Sequence, residues 1–146
     1  MNILDDLKLQ YKTGGMVQKL IFWNIGCFLF SLVFFYSFSV GSFQIPTWIA
    51  LSSDFGTFIR TPWTLITFNF FHAGFLHLIF NLMVLHFSGR LFSTYFTDKQ
   101  LLGVYVLGGI FSGVTFVLSY IFIGKAGLLV GASGAIMAIL IATATY

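Results

Sequence analysis

A single serine, Ser133, stands between small residues at the start of the last apolar segment, in the sequence Gly131-Ala132-Ser133-Gly134-Ala135. No bulky neighbour shields its hydroxyl, and the backbone N–H groups at the start of a helix are free to bind an anion. These are the surroundings that a serine nucleophile needs. Small residues also allow two membrane helices to pack closely, so the pentapeptide alone leaves both catalysis and helix packing open.

A second group of polar residues lies in another apolar segment, which contains His72, His77 and Asn81. Polar side chains at membrane depth are costly and tend to mark function. His77 and Asn81 are four residues apart and share one helix face, whereas His86 points to the opposite side. An imidazole and a carboxamide that face a hydroxyl could hold the oxyanion formed when Ser133 attacks a carbonyl. Hydrogen bonding between helices is the alternative role for these side chains.

The composition identifies the kind of protein in which these residues must be positioned. The chain has 146 residues, of which 58% are hydrophobic and only 8% are charged, whereas soluble domains carry about 25% charged residues. A soluble fold of this length could not bury so much apolar surface. We therefore predict an all-α bundle of membrane-spanning helices.

The same composition excludes several kinds of site. The chain has no Glu, and its four Asp residues lie outside the apolar segments, so we expect neither a metal site nor an acidic proton relay in the membrane. The one cysteine, Cys27, excludes an intramolecular disulfide and a cysteine metal site. No basic cluster interleaves with aromatic residues, so we expect no nucleic-acid partner.

Four apolar segments are candidates for membrane spans, over residues 20–40, 70–89, 101–124 and 128–146. The first is too long for a signal peptide, whose apolar core has about 7–15 residues. Residues 1–19 are predicted to be a separate cytoplasmic segment, with either an amphipathic surface helix that Gly14-Gly15 ends or a frayed terminus. Residues 20–146 form the membrane domain.

Three further features predict how these segments are arranged. Residues 41–67 contain two prolines and two tryptophans, which favours short helices in the interface. Gly109 and Gly113 mark a face that another helix approaches closely. Gly134, Ala138 and Ala142 form a small-residue stripe, which predicts that the last helix is central.

Lysine and arginine residues next to the spans predict the orientation of the bundle. Five of them lie on the N-terminal side and two on the other: Lys8, Lys12, Lys19, Arg90 and Lys99 against Arg60 and Lys125. We therefore expect a multi-pass protein with a cytoplasmic N-terminus. This orientation brings the outer half of the second span and the start of the fourth to similar depth, so Ser133 should lie near His77 and Asn81.

Over residues 60–146 these motifs resemble the rhomboid family of intramembrane serine proteases. The resemblance rests on His72-x-x-x-x-His77-x-x-x-Asn81 in the second span and on Gly131-Ala132-Ser133-Gly134-Ala135 at the start of the fourth. It implies that Ser133 is the nucleophile and that His77 and Asn81 stabilise the oxyanion. The roles implied for His72, Gly131 and Gly134 are supporting ones.

The resemblance also implies partners and a location. The expected substrates are transmembrane helices of membrane proteins, cleaved in the lipid bilayer by a Ser–His dyad without a cofactor or metal ion, and the expected location is a bacterial inner membrane. The family core has six helices, with the base histidine on the sixth. The sequence accounts for four helices and ends at Tyr146, so we expect an N-terminal portion that is inactive by itself.

Two other interpretations stay open. The first is a catalytically dead rhomboid-like protein that binds transmembrane helices. The second is a small transporter or channel subunit, which is disfavoured because the spans have no acidic residues and the chain has no visible internal repeat.

Overall fold

The computed structural model of the chain describes residues 2–146, the side chain of Ile121 excepted. This part of the chain is 69% helical, in agreement with the predicted all-α fold. The helices are α1 (Ile3–Thr13), α2 (Gly15–Phe34), α3 (Phe55–Arg60), α4 (Thr64–Thr67), α5 (Phe75–Phe92), α6 (Asp98–Ile123) and α7 (Ser133–Ala144). Two short antiparallel pairs join β1 (Tyr36–Ser37) to β2 (Ser42–Phe43) and β3 (Leu51–Ser52) to β4 (Leu128–Leu129).

Three helices, α2, α5 and α6, are long and apolar enough to cross a membrane, and the chain is an integral membrane protein. The fourth predicted span, 128–146, differs in the structure. Its helix, α7, has 12 residues and is about 18 Å long, shorter than the hydrocarbon core of about 30 Å. The preceding residues are extended because Leu128–Leu129 pairs with β3.

The first predicted span also has different limits. The predicted amphipathic helix is present as α1, and Gly14 caps its C-terminus. Gly15, with φ of 69°, starts α2 at once, so the first span begins before residue 20. It ends at Phe34 because the chain turns into the β1–β2 hairpin.

Helix α7 packs against α5 and α6. Its residues Ala135, Ile136 and Ile139 are buried in the largest apolar core. A side chain at Gly134 would collide with Ser112 of α6, and one at Gly108 would collide with Ala138. The small-residue stripe therefore allows a close contact between α6 and α7. The stripe predicted a central helix, but α7 is covered on one side only, since Met137 and Ile141 are 50% and 57% exposed.

The glycine pair of α6 has a different neighbour from the one expected. A Cβ at Gly113 would lie 2.9 Å from the side chain of Leu51 and 3.0 Å from that of Phe68. A Cβ at Gly109 would meet the side chain of Asn69. The face is closely packed, as predicted, but the segment that covers it is the connection between the first two spans.

That connection is tied to the loop that precedes α7. As predicted, it contains short helices, α3 and α4, followed by a 3-10 turn at Phe68–Phe70. The turn accepts a hydrogen bond at the carbonyl oxygen of Phe68 from the N–H of Gly131, at 2.9 Å. The β3–β4 pair adds a second link. These two links fix the position at which α7 begins.

Buried polar groups connect the 3-10 turn to two of the spans. The side-chain amide of Asn24 in α2 donates to the hydroxyl of Tyr105 in α6 at 3.2 Å. That hydroxyl donates to the carbonyl oxygen of Asn69 at 3.3 Å. All three residues are buried, so the bridge made by the Tyr105 hydroxyl is closed to solvent.

We expect Tyr105→Phe to lower the free energy of unfolding by about 1–3 kcal/mol, because it leaves buried hydrogen-bonding groups without their partner. Thermal unfolding in detergent measures the effect. Tyr120→Phe is the matched control on the same helix, and its effect should be within about 0.5 kcal/mol. Equal losses for both variants would contradict the role of the Tyr105 bridge.

Candidate active site

Ser133, His77 and Asn81 line one cavity between α5 and α7. The cavity has a volume of about 230 Å³. The remaining lining is apolar and comprises Phe80, Val84, Ile136 and Met137. The structure thus brings together the serine and the two polar residues of α5 that the sequence singled out.

Ser133 is the first residue of α7, and its side chain is exposed. The first N–H groups of a helix have no partner within the helix, so those of Ser133 and Gly134 are directed toward the space in front of it. The N–H of Gly131 is different because it is already bonded to Phe68. The N–H groups at the start of α7 are therefore the backbone donors that remain available to bind an oxyanion.

The imidazole of His77 lies directly against the backbone of Gly131. A Cβ at Gly131 would come within 2.7 Å of both Cε1 and Nε2 of that ring. The φ of Gly131 is 122°, a region that residues with side chains rarely adopt. Both the contact and the backbone conformation therefore require glycine here. The contact also places Nε2 of His77 beside the loop that leads into Ser133.

Asn81 is almost fully buried, one helical turn below His77. Its side-chain nitrogen donates one hydrogen bond to the carbonyl oxygen of His77, at 2.8 Å. An amide nitrogen has two hydrogens, so a second donor remains. This bond fixes the orientation of the carboxamide on the cavity side of α5.

The other two histidines do not line the cavity. His72 is fully buried in the turn before α5, and its ring packs edge-on against that of His77, with centroids 5.1 Å apart. His86 does not line the cavity, and its ring contacts Phe87. Neither ring is part of the cavity lining, and the supporting role of His72 stays a prediction. Across residues 2–146, no group of three or more His, Cys, Asp or Glu is arranged to hold a metal ion.

Sequence reasoning missed the apolar walls of the cavity. Phe80 and Val84 flank Asn81 on α5, and Met137 lies one turn after Ser133 on α7. Helical spacing from the polar residues would have identified Val84 and Met137. It also missed Ser112, which packs against Gly134 from α6. Nothing in the sequence indicates which segment packs against an isolated serine in a long apolar helix.

The arrangement brings together the Ser133 hydroxyl, the backbone N–H groups of Ser133 and Gly134, potential donors on His77 and Asn81, and apolar cavity walls. Such donors stabilise the negative charge that develops when a nucleophile adds to a carbonyl, which makes acyl transfer the chemistry that fits the cavity. A family model described as the rhomboid domain matches residues 60–146, a range that contains every cavity residue. No curated protein and no solved structure gives a significant match.

Proposed function

Because the chain belongs to the rhomboid family, we propose that it provides the nucleophile and the oxyanion-binding side of an intramembrane serine endopeptidase. The substrates would be transmembrane helices of membrane proteins. The observation that carries the proposal is the cavity shared by Ser133, His77 and Asn81. A serine that served only to pack two helices together would be covered, whereas the side chain of Ser133 is exposed and lines this cavity.

In the proposed reaction, the hydroxyl oxygen of Ser133 adds to the carbonyl carbon of the scissile peptide bond, and its proton passes to a general base. The carbonyl oxygen becomes an oxyanion, which accepts hydrogen bonds from the Ser133 N–H, the Asn81 amide and a ring N–H of His77. Collapse of this intermediate breaks the C–N bond and leaves an acyl group on Ser133, and the departing nitrogen takes the proton. Water then releases the acyl group by the same steps.

Among the described residues, no group is suited to act as that general base. His77 is held against Gly131 and assigned as a donor, His72 is buried behind it, and His86 lies outside the cavity. An unassisted serine is a weak nucleophile. We therefore propose that residues 1–146 alone are inactive and that the base comes from helices that complete the six-helix core implied by the rhomboid resemblance.

We expect Asn81→Ala to lower kcat by about 10²–10³-fold once those helices are supplied, which is the usual cost of one oxyanion donor. The assay is cleavage of a single-span reporter in liposomes. Ser88→Ala is a matched control because Ser88 is also buried on α5 and also bonds to its own helix, at Val84, 2.7 Å away. Similar losses in both variants would instead indicate damage to the helix.

The second candidate function is binding of transmembrane helices without cleavage. The observation that favours it is the lack of a suitable base among the described residues. Retention of a single-span peptide by the 146-residue chain, unchanged by Ser133→Ala, would support binding alone. Loss of the serine would then have no functional consequence even after the missing helices are added.

We also propose a location from the charge distribution. Five lysine or arginine residues flank the spans on the side of the N-terminus and two on the other. This asymmetry supports a cytoplasmic N-terminus, with the cavity toward the opposite side of the membrane. A bacterial inner membrane is the proposed location.

A further inference from the structure

A crevice of about 340 Å³ lies in the angle between the surface helix α1 and the first span α2. Leu7, Tyr11 and Phe22 form its apolar walls, and Lys8 and Lys12 complete its lining. The angle is held in place by aromatic contacts. The ring of Tyr11 packs edge-on against Phe22, with centroids 5.8 Å apart, and its hydroxyl accepts a hydrogen bond from the indole N–H of Trp23 at 3.2 Å.

The apolar wall of the crevice continues along α1 toward the N-terminus. Leu7 and Tyr11 face α2, and Ile3 and Leu4 extend the same apolar side toward the N-terminus, where they are 75% and 62% exposed. No residue of α1 is buried. An apolar helix side that adjoins a membrane span and has no protein cover is in contact with lipid. The crevice therefore opens onto the bilayer in which α2 is inserted.

Charge complementarity then identifies the lipid. Lys8 and Lys12 are one helical turn apart and line the same crevice, whereas Asp5 and Asp6 are not part of its lining. Two ammonium groups above an apolar wall match a phosphate head group above its acyl chains, because lysine stems lie along apolar surface while their charges stay at the interface. A zwitterionic lipid would offset its phosphate with its own cation.

We propose that this crevice is a binding site for one anionic phospholipid, with the phosphate between Lys8 and Lys12 and an acyl chain along Leu7 and Phe22. The bound lipid would add to the aromatic contacts that hold the angle between α1 and α2. The site is separate from the cavity at Ser133 and does not depend on the proposed catalytic function.

The test is lipid binding by the detergent-solubilised 146-residue chain, measured by native mass spectrometry during titration with phosphatidylglycerol or phosphatidylcholine of identical acyl chains. We expect one phosphatidylglycerol to bind in preference. Lys8→Gln/Lys12→Gln should weaken that binding by about 30-fold, which corresponds to about 1 kcal/mol for each lysine near an anionic lipid. Binding of phosphatidylcholine should stay the same.

The matched control is Lys99→Gln/Lys125→Gln, which removes the same charge at two residues that do not line the crevice. This control should retain the preference for phosphatidylglycerol, and so should Lys8→Arg/Lys12→Arg. Equal weakening by both glutamine pairs would overturn the proposal in favour of a general effect of net charge. Equal binding of the two lipids to the unmodified chain would also overturn it.

Discussion

Replacement of Ser133 by alanine is expected to reduce cleavage of a single-span reporter to background in a chain extended by the further helices proposed above. The reason is that no acyl intermediate can form without the hydroxyl. In the structure the side chain of Ser133 is exposed at the start of α7 and lines the cavity, so alanine can replace it without disturbing the core. Reporter cleavage in liposomes, followed over time, measures the effect.

Ser112→Ala serves as the control for this prediction, since Ser112 is on α6 beside Gly134 and outside the cavity lining. It should keep most of the activity. The 146-residue chain by itself should show no cleavage with or without Ser133. Cleavage by that chain that is lost in Ser133→Ala would mean that His77 acts as the base, and the division of roles given above would be wrong.

The second large effect is expected for Gly131→Ala. The new Cβ would lie 2.7 Å from the His77 ring, at a φ of 122°. The His77 ring or the loop must therefore move, and either movement separates the oxyanion donors from the serine. We expect a loss of activity of at least 10²-fold, since small misplacements of catalytic groups have costs of this size. The backbone strain should lower stability by about 1–3 kcal/mol.

A matched glycine in α2 separates these effects from those of adding a methyl group. A Cβ at Gly26 would have no neighbour within 4 Å, so Gly26→Ala should leave activity unchanged and raise stability by about 0.5–1 kcal/mol. Kinetic assays and thermal unfolding of the same preparations give both quantities. Full activity in Gly131→Ala would show that the contact between His77 and the loop is not needed.

The polar residues of the cavity could be predicted because they stand out in apolar segments. Asn81 and His77 are polar residues in an apolar segment and share one face of a helix, and Ser133 stands between small residues at the start of another. The similar depth of the two positions predicted that they meet, and the family resemblance came after that. These inferences rest on the helical spacing of the residues and on the free-energy cost of polar side chains in a membrane, and both can be read directly from a sequence.

The features that fix the loop could not be predicted in the same way. The strands of the β3–β4 pair have two residues each, so they show no alternation. The hydrogen bond from Gly131 to Phe68 joins two backbone groups, which any sequence possesses. Gly109 and Gly113 predicted close packing correctly, but a glycine pair does not specify which segment packs against it.

The central claim is that Ser133 is the nucleophile in the cavity shared with His77 and Asn81. The most direct measurement is covalent labelling of the completed chain in liposomes with a fluorophosphonate, followed by mass spectrometry of the modified peptide. The account predicts one label, on Ser133, which disappears in Ser133→Ala and is strongly reduced in Asn81→Ala. A label on another serine, or labelling that persists in Ser133→Ala, would contradict it.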